Sequence, residues 1–389
     1  MDQGCLSVWL SKHFSHILRH TARSIIQRVY DDEEQAEIEG IAEAMEVPIH
    51  LLVALNVMVD MMMGCSTMGL KTVCGEEGKI NMLHLRIMDW HMPRLRRLMV
   101  ELSYVRQPGG PVIASSLSYL GYVGVFTGVR PGLSMSINFR AHHGRYCVKQ
   151  RMAYHKHQLQ VMMGKRRSLS SYMRQILLAS DAVLDQQLME EYEDEEEDLK
   201  EYGGDDKTIL EETEDSPFNM PILDYIQSPD GLCGISSTAA YLTFCTPETV
   251  IISEKDHRQA EVFSDNTALA VCNHDRADVH PAPGGNGRLE LVDKSLQGQR
   301  RNYFHLSMNR QVALETMRKR ALEAKERRRM QRNQDGNMAS LATANSSQAI
   351  NFSDVVTISQ HPIVCHEDTH YIAIMDPARG RIVWRMGYS

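Results

Sequence analysis

Apolar residues between Val8 and Tyr30 recur at helical spacing, and the same period predicts two further helices before residue 64. Asp31-Asp32 offers an N-cap for a helix running through Ala44, because a carboxylate there accepts from the free amides of the first turn. Pro48 stands where a third helix would start, with Leu51, Leu52, Leu55, Val59 and Met62 behind it. From Thr67 the period changes to two. Strands are predicted over 67–74, 79–87, 97–105, 111–116, 120–127 and 132–139, separated by Gly-rich turns such as Gly75-Glu-Glu-Gly78 and Pro108-Gly-Gly-Pro111. Helical spacing returns over 167–188. Strands follow over 249–254, 259–263 and 267–272, then a helix with a basic end over 308–331 and a flexible polar stretch over 333–350. A strand pair, Tyr371–Met375 and Arg381–Trp384, surrounds the turn at 376–380. Strands in runs, with helices grouped elsewhere, predict α+β layers rather than βαβ alternation.

Charge changes this picture in one place. The net charge of the 389 residues is −8, yet Glu190–Asp215 alone carries 15 Asp/Glu against 2 Lys. The rest of the chain is therefore mildly basic, which suits peripheral contact with an anionic membrane surface. The acidic run repels itself and is expected to be a disordered, solvated insertion. The longest apolar stretch, Ile49 to Met63, is broken by His50, Asn56 and Asp60 and is too short to span a bilayer. The first twenty residues lack a charged segment followed by an apolar one, so no secretory signal is read and a cytoplasmic location is expected from sequence. Eight cysteines are scattered with no CxxC pair, so reduced thiols are expected, one of them a candidate nucleophile.

The segment Gly64-Cys65-Ser66-Thr67 places a cysteine at a strand start, with Arg86 and Asp89 on the partner strand. An Arg charge favours a thiolate, and a carboxylate can orient a proton-carrying group. Arg86 and Asp89 are three apart, so a regular strand turns them to opposite faces; both reach one cysteine only if the strand ends or bulges. A small core cysteine is the alternative reading.

Several ordered motifs then resemble the acid ceramidase and N-acylethanolamine-hydrolysing acid amidase family. They are Glu37-Ile-Glu-Gly-Ile-Ala-Glu-Ala44, Pro48, Leu55-Asn56, Gly64-Cys65, Arg86-Ile-Met-Asp89-Trp90, Gly121–Gly128, Leu133–Arg140, Thr249–Lys255 and Val271-Cys-Asn273-His-Asp275. The resemblance implies the four-layer αββα sandwich of N-terminal-nucleophile hydrolases, of choloylglycine-hydrolase type. It divides the chain into a helical segment, 1–64, and an amidase domain, 65–389, with insertions at 190–215 and 318–350. It implies self-cleavage between Gly64 and Cys65, two fragments that stay associated, and hydrolysis of a lipid amide, ceramide before N-acylethanolamine. By the same resemblance Cys65 is the nucleophile, Arg86 lies beside the thiolate, Asp89 holds the new amine and Asn273 donates to the oxyanion. The last catalytic arginine matches Arg300, with Arg301 second. No cofactor is implied, and the location would be lysosomal or vacuolar. The chain has Cys65-Ser66-Thr67 where the family has Cys-Thr-Ser, and the stretch from Cys65 to Arg86 is longer by about five residues. That spacing keeps Cys74 in view, and a catalytically silent lipid-binding member remains an alternative.

Other motifs read differently. His366-Glu367-Asp-Thr-His370 fits the HExxH pattern of zinc proteases, but that chemistry needs a helix. Here Tyr371–Met375 reads as a strand, which would hold the two imidazoles about 13 Å apart at Cα. His13, His16 and His20 share a helical face, read as polar surface. The basic runs at 318–320 and 327–332 lack interleaved aromatics, so no nucleic-acid partner is expected.

Overall fold

The computed structural model describes residues 26–58, 64–74, 78–140, 148–179, 221–281, 289–291, 298–334 and 348–387. The expected helix over 8–30, apart from residues 26–30, which are not helical, and the acidic run 190–215 lie outside these residues.

Two helices precede the first sheet. Helix α1 (Asp32–Met45) is capped as expected: the Asp31 carboxylate accepts from the backbone amides of Glu33 and Glu34 at 3.0 Å. Helix α2 (Ile49–Met58) starts just after Pro48. Their apolar faces, with Ile38, Ala42, Leu52, Val53 and Val57, close a core with Val123 and Val161.

The first sheet holds β1 (Gly64–Cys74), β2 (Lys79–Asp89), β10 (Ala268–Val271), β14 (Thr369–Asp376) and β15 (Arg381–Gly387) in the order β10-β1-β2-β14-β15, with the short β13 (Ile350–Asn351) parallel to β1. The second holds β3 (Met99–Val105), β4 (Val112–Tyr119), β5 (Thr127–Arg130), β6 (Leu133–Phe139), β7 (Ala240–Cys245), β8 (Val250–Lys255) and β9 (Ala260–Asp265), antiparallel in chain order. Strand alternation sets the layers. On β1 and β2 the residues Met68, Leu70, Leu83, Leu85 and Ile87 face outward onto α6 (Gly298–Gln334) and α7 (Phe352–Ser359), packing with Ala313, Leu314, Val355 and Ile358. On β6, Leu133, Met135 and Ile137 face α4 (Leu169–Leu178) through Leu169, Tyr172, Met173 and Ile176. The opposite faces of the two sheets meet. A Cβ on Gly69 would lie 2.4 Å from Val250 Cβ and 2.9 Å from Cys245 Sγ, so only glycine permits this approach. Helix, sheet, sheet and helix thus stack in the expected αββα order.

Three expectations need correction. The stretch expected as a strand over 120–127 is largely a turn: Gly121 has φ +88°, and only Thr127 begins β5. Its apolar residues are buried for another reason, since Val123 packs on α2 and Val125 donates its amide to Ser170 O. Strand β7, central in the second sheet, was not anticipated, nor was α3 (Val148–Met162). Helix α6 begins ten residues earlier than its predicted start, and the basic stretch 318–334 is its continuation.

Candidate active site

Cys65 is the second residue of β1 and is fully buried. It pairs with Met88, and Gly64 pairs with Asp89, the last residue of β2. The strand therefore ends where the sequence argument required an end. Arg86, three positions inward of Asp89, points between the sheets. Its Nη2 donates to Cys65 Sγ at 2.9 Å and to the Ile137 carbonyl at 2.5 Å. Its Nη1 donates to Thr67 Oγ1 at 3.1 Å and to Asn138 Oδ1. Arg86 is wholly buried, and among the described residues no carboxylate pairs with it. A buried cation held by neutral acceptors is costly unless an anion forms beside it. The thiol of Cys65 is the group placed to supply that anion.

Asp89 turns to the helix side. Its Oδ2 accepts from Arg310 Nη1 at 2.7 Å, its Oδ1 accepts from Thr369 Oγ1 at 2.7 Å, and His366 Nε2 lies 3.5 Å from Oδ2. Arg310 Nη2 donates to Asn273 Oδ1 at 2.7 Å, and the same oxygen accepts the backbone N–H of Cys65 at 2.9 Å. Asn273 Nδ2 donates to Phe139 O at 2.7 Å, which leaves its second amide hydrogen for another acceptor. Helix α6 fixes this corner twice: Ser307 Oγ accepts the Asn273 backbone N–H at 2.7 Å, and Arg310 follows one turn later. The side chain of Cys65 is thus addressed by Arg86 from one face of the sheet. Its nitrogen is addressed by the Asn273–Arg310–Asp89 chain at the strand's end.

Electrostatics separate the two acids. Burial pushes the Cys65 thiol up, and this outweighs the lowering influence of Arg86, so the thiol rests protonated. Burial also works to raise the Asp89 carboxyl. The His366 hydrogen bond and the Arg310 charge overcome it and hold Asp89 below the ordinary carboxylate range.

Four expected site residues, Cys65, Arg86, Asp89 and Asn273, are brought together; the arginine is different. Arg301 is exposed and its Nε donates to His305 at 3.3 Å. The side chain of Arg300 lies outside the described residues, but its helical position precedes Arg310 by ten residues, about 15 Å of rise. Arg310 occupies the corner. The structure shows why: on α6 the buried positions Phe304, Ser307, Met308, Gln311 and Leu314 mark one stripe, and Arg310 lies within it. Cys74 sits at the far end of β1, nine residues from Cys65, where burial raises its thiol to about 11. The HExxH residues do not converge. His370 accepts from Tyr119 OH at 2.7 Å and donates to Trp90 O at 2.9 Å, while His366 faces Asp89.

No protein-family model matches the chain. Curated relatives do. An N-acylethanolamine-hydrolyzing acid amidase of Caenorhabditis elegans is 31% identical over 130 residues, which is 31% of this chain and 35% of that protein. Acid ceramidase of Heterocephalus glaber is 27% identical over 121 residues, and that of Rattus norvegicus 29% over 119, each covering 27% of this chain. The chain is similar to these amidases over stretches of about 120–130 residues. It spans about a third of the length of the curated relatives it matches. A solved structure, the Caenorhabditis elegans ortholog of N-acylethanolamine-hydrolyzing acid amidase, superposes with a TM-score of 0.44 at 13% identity, covering 84% of this chain and 100% of that one. Among the described residues no helix is long and apolar enough to cross a membrane.

Proposed function

We propose that this protein is a cysteine amidase that cuts itself before Cys65 and then hydrolyses the N-acyl bond of a lipid amide, ceramide first. The observation that carries the reading is the separate handling of the two Cys65 atoms the reaction needs. Its sulfur sits on Arg86, and its nitrogen sits on the Asn273–Arg310–Asp89 chain.

In the precursor the Cys65 sulfur attacks the Gly64 carbonyl. The C–N bond breaks, the nitrogen takes the thiol proton, and water then hydrolyses the Gly64 thioester. This frees an α-amino group at Cys65, held by Asn273 Oδ1 and by the Asp89 carboxylate. An amine with a reference pKa of about 7.7–8.0 accepts the thiol proton that burial otherwise retains. Arg86 stabilises the thiolate, which attacks the acyl carbon of the substrate. The unused amide hydrogen of Asn273 donates to the oxyanion, a contribution of about 3 kcal/mol for a well-placed donor. The amine product takes back the proton and leaves, and water releases the fatty acid from the thioester.

The curated relatives support a lipid amide substrate through their names. An assay with ceramide and an N-acylethanolamine side by side tests the head group. Faster turnover of the ethanolamide overturns the ceramide reading, and turnover of neither overturns the amidase. Association of fragments 1–64 and 65–389 is supported by Asn56 on α2. Its amide nitrogen donates to Gly121 O at 2.8 Å and its oxygen accepts Val123 N at 2.8 Å. Charged bonds add to it, with Arg174 on Glu37 and Arg167 on Asp31.

A further inference from the structure

His366 is a residue the mechanism above does not use, and it lies partly exposed against the buried Asp89 carboxylate. The Asp89 side chain is 5% exposed and that of His366 35%, with Nε2 at 3.5 Å from Asp89 Oδ2. The imidazole is aimed. In the neutral ring the Asp368 backbone N–H donates to Nδ1 at 3.3 Å, so the proton is on Nε2, toward Asp89; the charged ring gives up that bond and directs Nδ1–H at the Asp368 carboxylate, 4.0 Å away. The loop is pinned on both sides: His366 N donates to Thr369 Oγ1 at 3.0 Å, and that hydroxyl donates to Asp89. Arg96 holds the neighbouring Glu367 carbonyl.

The charged groups around the ring are few. Asp89 faces it from β2 and Arg310 from α6, while Asp368 on its own loop lies 4.0 Å from Nδ1. His91, just after β2, is engaged with the other oxygen of Asp368 at 2.8 Å. Glu367 is the adjacent carboxylate in the chain. Of these, Asp89 and Asp368 set against Arg310 favour a charged imidazole.

We propose that His366 is a positioning residue which ties the buried Asp89 carboxylate to solvent pH and keeps it ionised in acid. A buried carboxylate with one cation beside it tends to protonate as the medium acidifies; a second cation arriving in the same pH range opposes this. The balance of His366 agrees: its hydrogen bond to Asp89 raises it above an ordinary imidazole against the opposing influence of burial. The site is then most completely charged in acid, when a lone Asp89 would begin to fail as the holder of the Cys65 amine. This rests on the amidase reading given above.

Two measurements test it. The first is the pH profile of kcat/KM for His366→Gln against the unaltered chain. Removal of an opposing charge shifts a carboxyl by about one unit or more, so the acid limb moves to higher pH. The loss at about pH 4.5 exceeds that at about pH 7.5 by roughly two- to threefold. An unmoved acid limb, or an equal loss at every pH, overturns the proposal and makes His366 merely structural. The second needs no turnover: the titration of His366 by NMR of 13C-labelled histidine in uncut Cys65→Ala, assigned by the signal missing in His366→Gln. The proposal expects titration above the ~6.5 of a free imidazole and a return toward it in Asp89→Asn. Titration at or below that value with Asp89 present overturns it. Raised titration in a chain that hydrolyses no amide counts against the amidase reading alone.

Discussion

Arg310 donates to Asp89 at 2.7 Å across 221 residues of sequence, and both side chains are nearly buried. The pair locks the outer helix onto the end of the strand that carries the site. Because its second nitrogen also bonds Asn273, Arg310 sets the position of the group that takes the Cys65 N–H.

Arg310→Ala is therefore expected to abolish turnover and to destabilise the fold. Leaving one buried charge without its partner costs about 3–5 kcal/mol. Arg301→Ala, at an exposed position, should change stability by no more than about 0.5 kcal/mol and leave turnover in place. Denaturant midpoints and initial rates of both variants check this; the opposite pattern would return the site arginine to the start of α6.

Stability should depend on pH through the same corner. The folded Asp89 carboxyl lies below its ordinary value, so its contribution is present above about pH 4 and is lost as the pH falls through the folded value. His366 is raised, so its contribution is present below about pH 6.5 and is lost as the pH rises through its folded value. The unfolding free energies of the unaltered chain and Asp89→Asn should thus differ most between about pH 4 and 6.5. A gap constant from acid to alkaline pH would contradict the assignment.

Asn56 gives a third test. Its amide makes three hydrogen bonds in a buried setting, to Leu52 O, Gly121 O and from Val123 N. Asn56→Leu strands the Gly121 and Val123 groups, each costing about 1–3 kcal/mol when buried without a partner. The expected result is a lower melting temperature and partial release of the 1–64 fragment on size exclusion after cleavage. Full retention at unchanged stability would mean that apolar contacts alone hold the segment.

The sequence made the layered fold legible where period and punctuation agree. Asp31 as a cap, Pro48 before a helix and the β1–β2 hairpin are local signals, and the structure places them as expected. Gly121–Phe126 misled because its apolar residues are all buried, by a turn against α2 and α4, and a short apolar run between turn residues also reads as a buried strand. Strand β7 escaped because it is buried on both faces and lacks alternation. The candidate site divides in the same way. Cys65, Arg86, Asp89 and Asn273 sit in short motifs, whereas Arg310 is isolated in a basic helix and becomes visible only once the buried stripe of α6 is known.

The central claim is that Cys65 becomes the first residue of a new chain. Intact mass together with N-terminal sequencing of the purified protein after incubation in acid measures this directly. The account predicts a cut between Gly64 and Cys65 that leaves Cys65–Ser389 with Cys65 at its start, amidase activity that appears with the cut, and one uncut, inactive chain for Cys65→Ala. The Cys74→Ala chain should still be cut and active. Cleavage before Cys74, or full amidase activity in Cys65→Ala, would contradict it.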